Sequence, residues 1–362
     1  MSTQDLNNVY ESLAAHLDSL PAGFPSTPTG VELRILKRLF TPEEALLATL
    51  LTRRPESASK IAARTGRDAG ELAVQLEEMS HKGLIFRMSK GEETLYMAAQ
   101  FMVGIWEYHV NDLDPELVRD VNEYFPYLMG TTDPLGTPQV RVIPVAGALT
   151  PDHVVLSYDE ALRIIDGQEK IVVAPCICRR EHQILGDGCG KPLETCLVFG
   201  VGAAYYEENG LGRQIDREEA RHILASAEEA GLVLSPANAQ NATNICCCCG
   251  CCCQILKYLK RLPKPAESIG SNFYAVVEEE LCVGCEICLE RCQMEAIEMV
   301  DGCAVIKRER CIGCGLCVSA CAAGAIRFLA KQPEDRREPP GSLTETYKRI
   351  GEERHKRGEE VL

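Results

Sequence analysis

The 362 residues predict an α+β chain of several domains, and three observations lead to that reading. The first hundred residues string capped helical segments before one polar-turn hairpin and hold no cysteine. From about residue 141, short apolar runs mix with helical patterns, and eleven of the twenty cysteines gather there. Residues 282–292 and 311–321 then repeat one cysteine spacing, 29 positions apart. The expected divisions are 1–30 (helix and linker), 31–100, a helical connector at 101–140, 141–265, 272–330, and a charged tail at 331–362.

Composition narrows the function classes. A net charge of −15 opposes general attraction to nucleic acid or to an anionic membrane. The longest apolar run, CLVFGVGAAYY from Cys196, falls well short of the roughly twenty residues of a membrane span. MSTQDLNNVYESLAAHL has neither the basic nor the apolar region of a signal peptide, which predicts the cytoplasm. Cytosolic thiols stay reduced, so cysteines confined between Cys176 and Cys321 predict metal or iron–sulfur ligation rather than disulfides. Such thiol density also predicts an anaerobic host, because neighbouring thiols oxidise readily.

In the first part, an amphipathic helix precedes the linker PAGFPSTPTG, and a block from VELRILKRLF to Met97 follows. Thr41 is placed to cap a helix, with Pro42 at its first position and Glu44 completing a capping box. SASKIAARTG forms a second helix ending at Gly66. A third starts at Asp68, carries Leu72, Leu76 and Met79 on one face, and stops at Gly83. LIFRM and TLYMA flank the turn SKGEE as a hairpin. Together these elements predict a winged-helix-like domain. In that fold the third helix can enter the major groove. Here it carries Asp68, Glu71, Glu77 and Glu78 against Lys82, charges that phosphates repel, so a scaffold or partner-docking role is favoured over DNA binding. The connector predicts one helix around Trp106 and another capped by Asp114 and Pro115.

CVGCEICLERC and CIGCGLCVSAC both read C-x2-C-x2-C-x3-C, and the shift of 29 also aligns Gly284 with Gly313, Ala296 with Ala325 and Ile297 with Ile326. About sixty residues here resemble the bacterial dicluster ferredoxins. That resemblance implies a ferredoxin-like domain with two 4Fe-4S clusters, because three cysteines of each loop face one cube and the fourth reaches the other. By it, Cys282, Cys285, Cys288 and Cys321 hold one cluster, and Cys311, Cys314, Cys317 and Cys292 the second. The family usually has proline after the fourth cysteine; Gln293 and Ala322 stand there instead. Cys303 is expected to be a buried thiol outside the ligand sets.

The middle domain reads as mixed α/β, with VVLSY and KIVVAP as strands and a helix from Asp216 to Gly231. Its thiols are Cys176 and Cys178 in APCICRR, Cys189, Cys196, and the run NICCCCGCCC. Arg179 and Arg180 are placed to pair with thiolates or an anionic cluster. Side chains fan out on a helix and alternate on a strand, so seven thiols in eight positions cannot all face one cluster. Cys246 with Cys249, and Cys249 with Cys252, are the better-placed pairs. The arrangement is similar to anaerobic 4Fe-4S ferredoxin-type proteins in which PCICR, a GC…CLVFG stretch and CCGCCC precede a dicluster ferredoxin. In that pattern a polar residue can replace Cys247. The candidate ligands are therefore Cys176, Cys178, Cys189, Cys196, Cys246, Cys248, Cys249, Cys251, Cys252 and Cys253, holding one or more further iron–sulfur clusters, with zinc the lesser alternative.

Three functions follow. The first is a cytoplasmic electron-transfer protein serving a redox partner protein. The second is an oxidoreductase, or its electron-transfer component, whose middle cluster binds substrate. The third is an iron–sulfur redox sensor acting through the winged helix. The tail sequence TETYKRIGEERHKRG is expected to be a solvated helix.

Overall fold

The computed structural model describes residues 3–132, 135–151 and 155–361. They fall into two units: Met1–Leu135 with Val201–Arg213 and Tyr347–Leu362, and Gly136–Gly200 with Gln214–Thr346. Helices and small sheets alternate in both, an α+β arrangement. All twenty cysteines belong to the second unit.

Local chemistry sets the helix boundaries of the first unit. Thr41 and Glu44 form the reciprocal capping box that starts Pro42–Ala48. Asp68 accepts the Gly70 and Glu71 amides at the start of Ala69–His81. Gly66, at φ +71°, closes Ala58–Thr65, where a side chain would be strained. The strands Phe86–Lys90 and Glu93–Met97 pair antiparallel, and Glu56–Ser57 adds to the latter. Glu77, on the third helix of this block, is taken up by Tyr96, His81 and Arg87.

Three expectations differ here. PAGF is packed rather than a free linker: Ala22 and Phe24 are buried, and Phe24 lies against the Phe101 and Tyr124 rings. The helix around Trp106 is one turn, Trp106–Tyr108, after a segment whose Met102, Val103 and Gly104 leave helical geometry. The Leu343–Lys356 helix is amphipathic rather than solvated all round. Its Ile350 and Arg354 are buried, and Arg354 donates to the Leu20 and Asp18 carbonyls at 2.7 and 2.9 Å. A long cationic side chain can bury its stem this way while its head finds oxygen.

The second unit is built on a five-stranded sheet in the order Arg213–Ile215, Ile171–Pro175, Glu194–Phe199, Asn244–Cys248, Val233–Pro236. Neighbours among its last four strands run antiparallel. Val173, Leu197 and Ile245 are in register and buried, and Ala220, Leu224 and Ala227 of the Arg217–Glu229 helix join the same core. VVLSY does not form a strand among the described residues. Ser157–Asp159 is a 3-10 turn, because Asp159 is drawn into a buried group with Arg141 and Asn272, each at 2.8 Å. Val154 lies outside the described residues.

The cysteine repeat folds as a repeat. Strand Phe273–Val277 pairs with Ile326–Ala330, and Ile297–Val300 with Cys303–Ile306. Short helices begin at Ile287 and Leu316, and strands at Ile297 and Ile326, each pair 29 residues apart. Left-handed backbone recurs in step too, at Gly284 and Gly313, Glu286 and Gly315, Glu295 and Gly324. Gly313 is obligatory in its loop, since a Cβ would meet the Phe273 carbonyl at 2.2 Å. Phe273, Leu316 and Phe328 share one core with Leu197 and Ile245 of the sheet. No helix among the described residues is long and apolar enough to cross a membrane.

Candidate metal centres

In the repeat, each motif folds back as loop and short helix, and the two motifs exchange their last cysteine. One small cavity is lined by Cys311, Cys314 and Cys317 of the second motif together with Cys292 of the first. Leu316, Phe328 and Ile312 close it with apolar surface. The other is lined by Cys282, Cys285 and Cys288 with Cys321 of the second motif, and is closed by Met299 and Ile326. Amides are directed at the sulfurs: Ala296 N–H reaches Cys292 Sγ at 3.2 Å, and Ala304 N–H reaches Cys282 Sγ at 3.5 Å. Burial pushes the Cys314 thiol up to about 12 and raises Cys317 as well. Without a cation Cys314 and Cys317 keep their protons, so metal binding at these two must release them. Four soft thiolates around a dry cavity are the donor set of an iron–sulfur cluster, and the residues fit one. Cys303 sits beside Cys282 and is half-buried, less enclosed than expected.

In the middle domain, sheet register sorts the thiols. Ala174, Cys196, Cys246 and Ser235 are opposed in one row across four strands. Side chains alternate along a strand, so Cys246 and Cys248 share one face while Ile245 and Cys247 point to the other. Cys247 is accordingly buried in the core, and burial raises its thiol far above the ordinary range. Helix starts bring in the remaining members. Cys176 stands at the N-cap position of Ile177–Leu185 and Cys253 at that of Gln254–Arg261, neither with a side-chain capping bond, so both sulfurs stay available to the thiol groups.

The outcome is two thiol groups. In the first, the Cys178 thiol neighbours Cys176 and Cys253, Cys248 neighbours Cys253 and Cys246, and Cys246 neighbours Cys196, all as free thiols. Hydrogen bonds from Cys196 and Cys248 hold the Cys246 thiol well below its usual range, and bonds from Cys178 and Cys248 do the same for Cys253. Asn244 Nδ2 donates to Cys246 Sγ at 3.6 Å. In the second, Cys189, Cys249, Cys251 and Cys252 have sulfurs all within 4.8 Å of one another. Of the two pairs expected within the run, Cys249 and Cys252 therefore meet, whereas Cys246 and Cys249 are placed in different groups.

Arg179 lies between the groups and is 2% exposed. Its Nη1 donates to the Cys247 carbonyl at 3.0 Å and lies 3.9 Å from Cys249 Sγ, and Nη2 bonds Thr195. Burial opposes its charge, but the neighbouring sulfurs of Cys176 and Cys249 outweigh this and raise its pKa. Its Nε is buried without a hydrogen-bond partner. An unpaired guanidinium N–H among thiolates suits an additional anionic group, as an iron–sulfur cluster is. His182, by contrast, is engaged with Asp187 at 2.9 Å and Lys257 at 3.5 Å.

One contact had no direct motif in the sequence. Gly250 N–H donates to Gln293 Oε1 at 2.8 Å, and a Cβ at Gly250 would lie 2.3 Å from the Gln293 carbonyl oxygen. Gly250 separates Cys249 from Cys251, and Gln293 follows Cys292, so the middle thiols abut the cysteine repeat. The only hint was glutamine where proline is usual; proline has no side-chain amide to accept this bond.

Residues 304–327 match the family model described as the 4Fe-4S binding domain. Over that segment the chain is similar to ferredoxin-type iron–sulfur domains. The match covers Cys311, Cys314, Cys317 and Cys321. No curated protein and no solved structure matches the chain.

Proposed function

We propose that this chain is an electron-transfer protein with two 4Fe-4S clusters in residues 272–330 and a further iron–sulfur centre in residues 141–265. Cys282, Cys285, Cys288 and Cys321 hold the first cluster; Cys311, Cys314, Cys317 and Cys292 hold the second. The observation that carries this reading is the exchange of the fourth cysteine: each cavity takes three thiols from one motif and one from the other. That pattern is what two interlocked cubes require.

The further centre draws its ligands from Cys176, Cys178, Cys196, Cys246, Cys248 and Cys253, beside the unpaired Nε of Arg179. Such clusters supply one-electron couples when bound. The chain's part is to supply thiolates, direct amides at sulfur, exclude water with Leu316 and Phe328, and offset negative charge with Arg179. The shared core and the Gly250–Gln293 contact support exchange of electrons between the two regions. The reading carries with it a reducing, oxygen-poor compartment and a redox partner protein. Residues 31–100 form a winged-helix scaffold for partner docking, a role supported by the acidic third helix, whose Glu77 is tied to Arg87 and Tyr96.

The test is anaerobic purification with iron and acid-labile sulfide counted, beside low-temperature EPR of the reduced protein. About twelve irons with matching sulfide, and interacting reduced clusters, are expected. About eight would remove the middle centre from the account, and four or fewer would remove the two-cluster repeat.

A further inference from the structure

The second thiol group has a different size from an iron–sulfur site, and we propose that Cys189, Cys249, Cys251 and Cys252 bind one tetrahedral metal ion, of the zinc class. The first support is dimension. All four sulfurs lie within 4.8 Å of one another, and Cys251 and Cys252 Sγ are 3.8 Å apart. Four bonds of about 2.3 Å to a single ion place tetrahedral sulfurs roughly 3.8 Å apart. A cubane gives each cysteine its own iron, so its ligand sulfurs stand outside the cube and much farther apart.

The second support is the backbone. Three of the four ligands come from the four residues 249–252, in a turn closed by the Cys253 amide on the Cys249 carbonyl at 3.0 Å. Spreading these thiols around four irons would open this turn, whereas one ion is served by it as it stands. Cys189 completes the set from the loop after the Ile177–Leu185 helix, where Gly186 and Gly190 have positive φ. Four thiolates leave a divalent ion with two excess negative charges, and Arg179 approaches Cys249 Sγ at 3.9 Å.

The site would have structural work. The turn it closes contains Gly250, which docks on Gln293 next to Cys292. One ion thereby fixes the Cys189 loop and the 249–252 turn against the cysteine repeat. The inference does not depend on whether Cys176, Cys178 and Cys246 carry a cluster, since that centre contains sulfide and this one does not.

The experiment counts zinc, iron and acid-labile sulfide in the anaerobically purified full chain and in Cys251→Ser and Cys189→Ser. The expected result is one zinc per chain, lost in both variants with sulfide unchanged. A single iron giving an isolated ferric signal, likewise lost without sulfide, would support the same one-ion geometry. Loss of about four irons with four sulfides, or no change in metal, would overturn it. X-ray absorption at the zinc edge of the unmodified chain covers the case of a variant that fails to fold. Four sulfurs near 2.3 Å are expected; nitrogen and oxygen ligands instead, or the absence of both zinc and an isolated ferric iron, would refute the site.

Discussion

The two cysteine-rich regions of this molecule solve one problem by opposite means. In the repeat, thiols are spaced at every third position, and a short loop turns that spacing into a cavity. In the middle domain seven thiols are adjacent, and a β-sheet divides them: alternation sends Cys246 and Cys248 to one face and Cys247 to the other, while the turn at Gly250 redirects Cys249, Cys251 and Cys252. Spacing specifies a site locally. Adjacency specifies nothing until strand register and a turn have sorted it.

Breaking the exchange of cysteines in the repeat should have the largest effect. Cys292→Ala removes a sulfur lining the cavity formed mainly by the other motif, so it should abolish the same EPR signal as Cys314→Ala. The expected loss in each is about four irons and four sulfides, with the other cluster retained. If Cys292→Ala instead matches Cys285→Ala, the assignment of fourth ligands is wrong.

Next is the seam between the regions. Gly250→Ala forces a Cβ to 2.3 Å from the Gln293 carbonyl oxygen, so backbone must move. The expected destabilisation is about 2–4 kcal/mol in denaturant titration, an overpacking cost. Gln293→Ala removes the side-chain acceptor of the Gly250 amide and a longer Nε2 bond to the Arg291 carbonyl, leaves the backbone approach in place, and should cost about 1 kcal/mol. Equal effects would mean the close approach contributes nothing beyond the hydrogen bond.

The cysteine-free first unit provides the contrast in pH response. Burial lowers the pKa of His109 and of His16, each against a backbone hydrogen bond that raises it. As pH falls below about 6.5, the unfolded chain takes up these protons before the folded one does. Their stabilising contribution is therefore complete above that value and is lost on acidification. Trp106, the single tryptophan, lies in this unit and reports its unfolding. Its urea midpoint should fall between pH 7.5 and 5.5, and His109→Gln should flatten that dependence.

The smallest effect sharpens the repeat itself. Glu286 has φ 63° where its counterpart Gly315 has 80°. Glu286→Gly relieves left-handed strain and should stabilise by about 0.5–1 kcal/mol. Destabilisation would show that the Glu286 side chain contributes more than its backbone strain costs.

What the sequence made legible follows the same division. Thr41, Asp68 and Gly66 announced their helix ends because capping is a short-range matter. The repeat was legible because its spacing is the geometry. The partition of the run was legible only in outline, since alternation excludes a single centre but cannot say which register holds. That required Cys196 opposite Cys246, a pairing between strands about fifty residues apart. VVLSY misled because its apolar pattern gave no sign of the buried Arg141–Asp159–Asn272 group that bends the chain. The last helix misled because its many charges concealed the burial of Ile350 and of Arg354, whose guanidinium finds its carbonyl partners at the other end of the chain.

Strand register divides adjacent thiols between two faces, and one comparison tests that directly: acid-labile sulfide in Cys246→Ala against Cys247→Ala. The predicted result is loss of one cluster's sulfide in the first and full retention in the second. Equal sulfide in the two variants, whether both reduced or both intact, would contradict it.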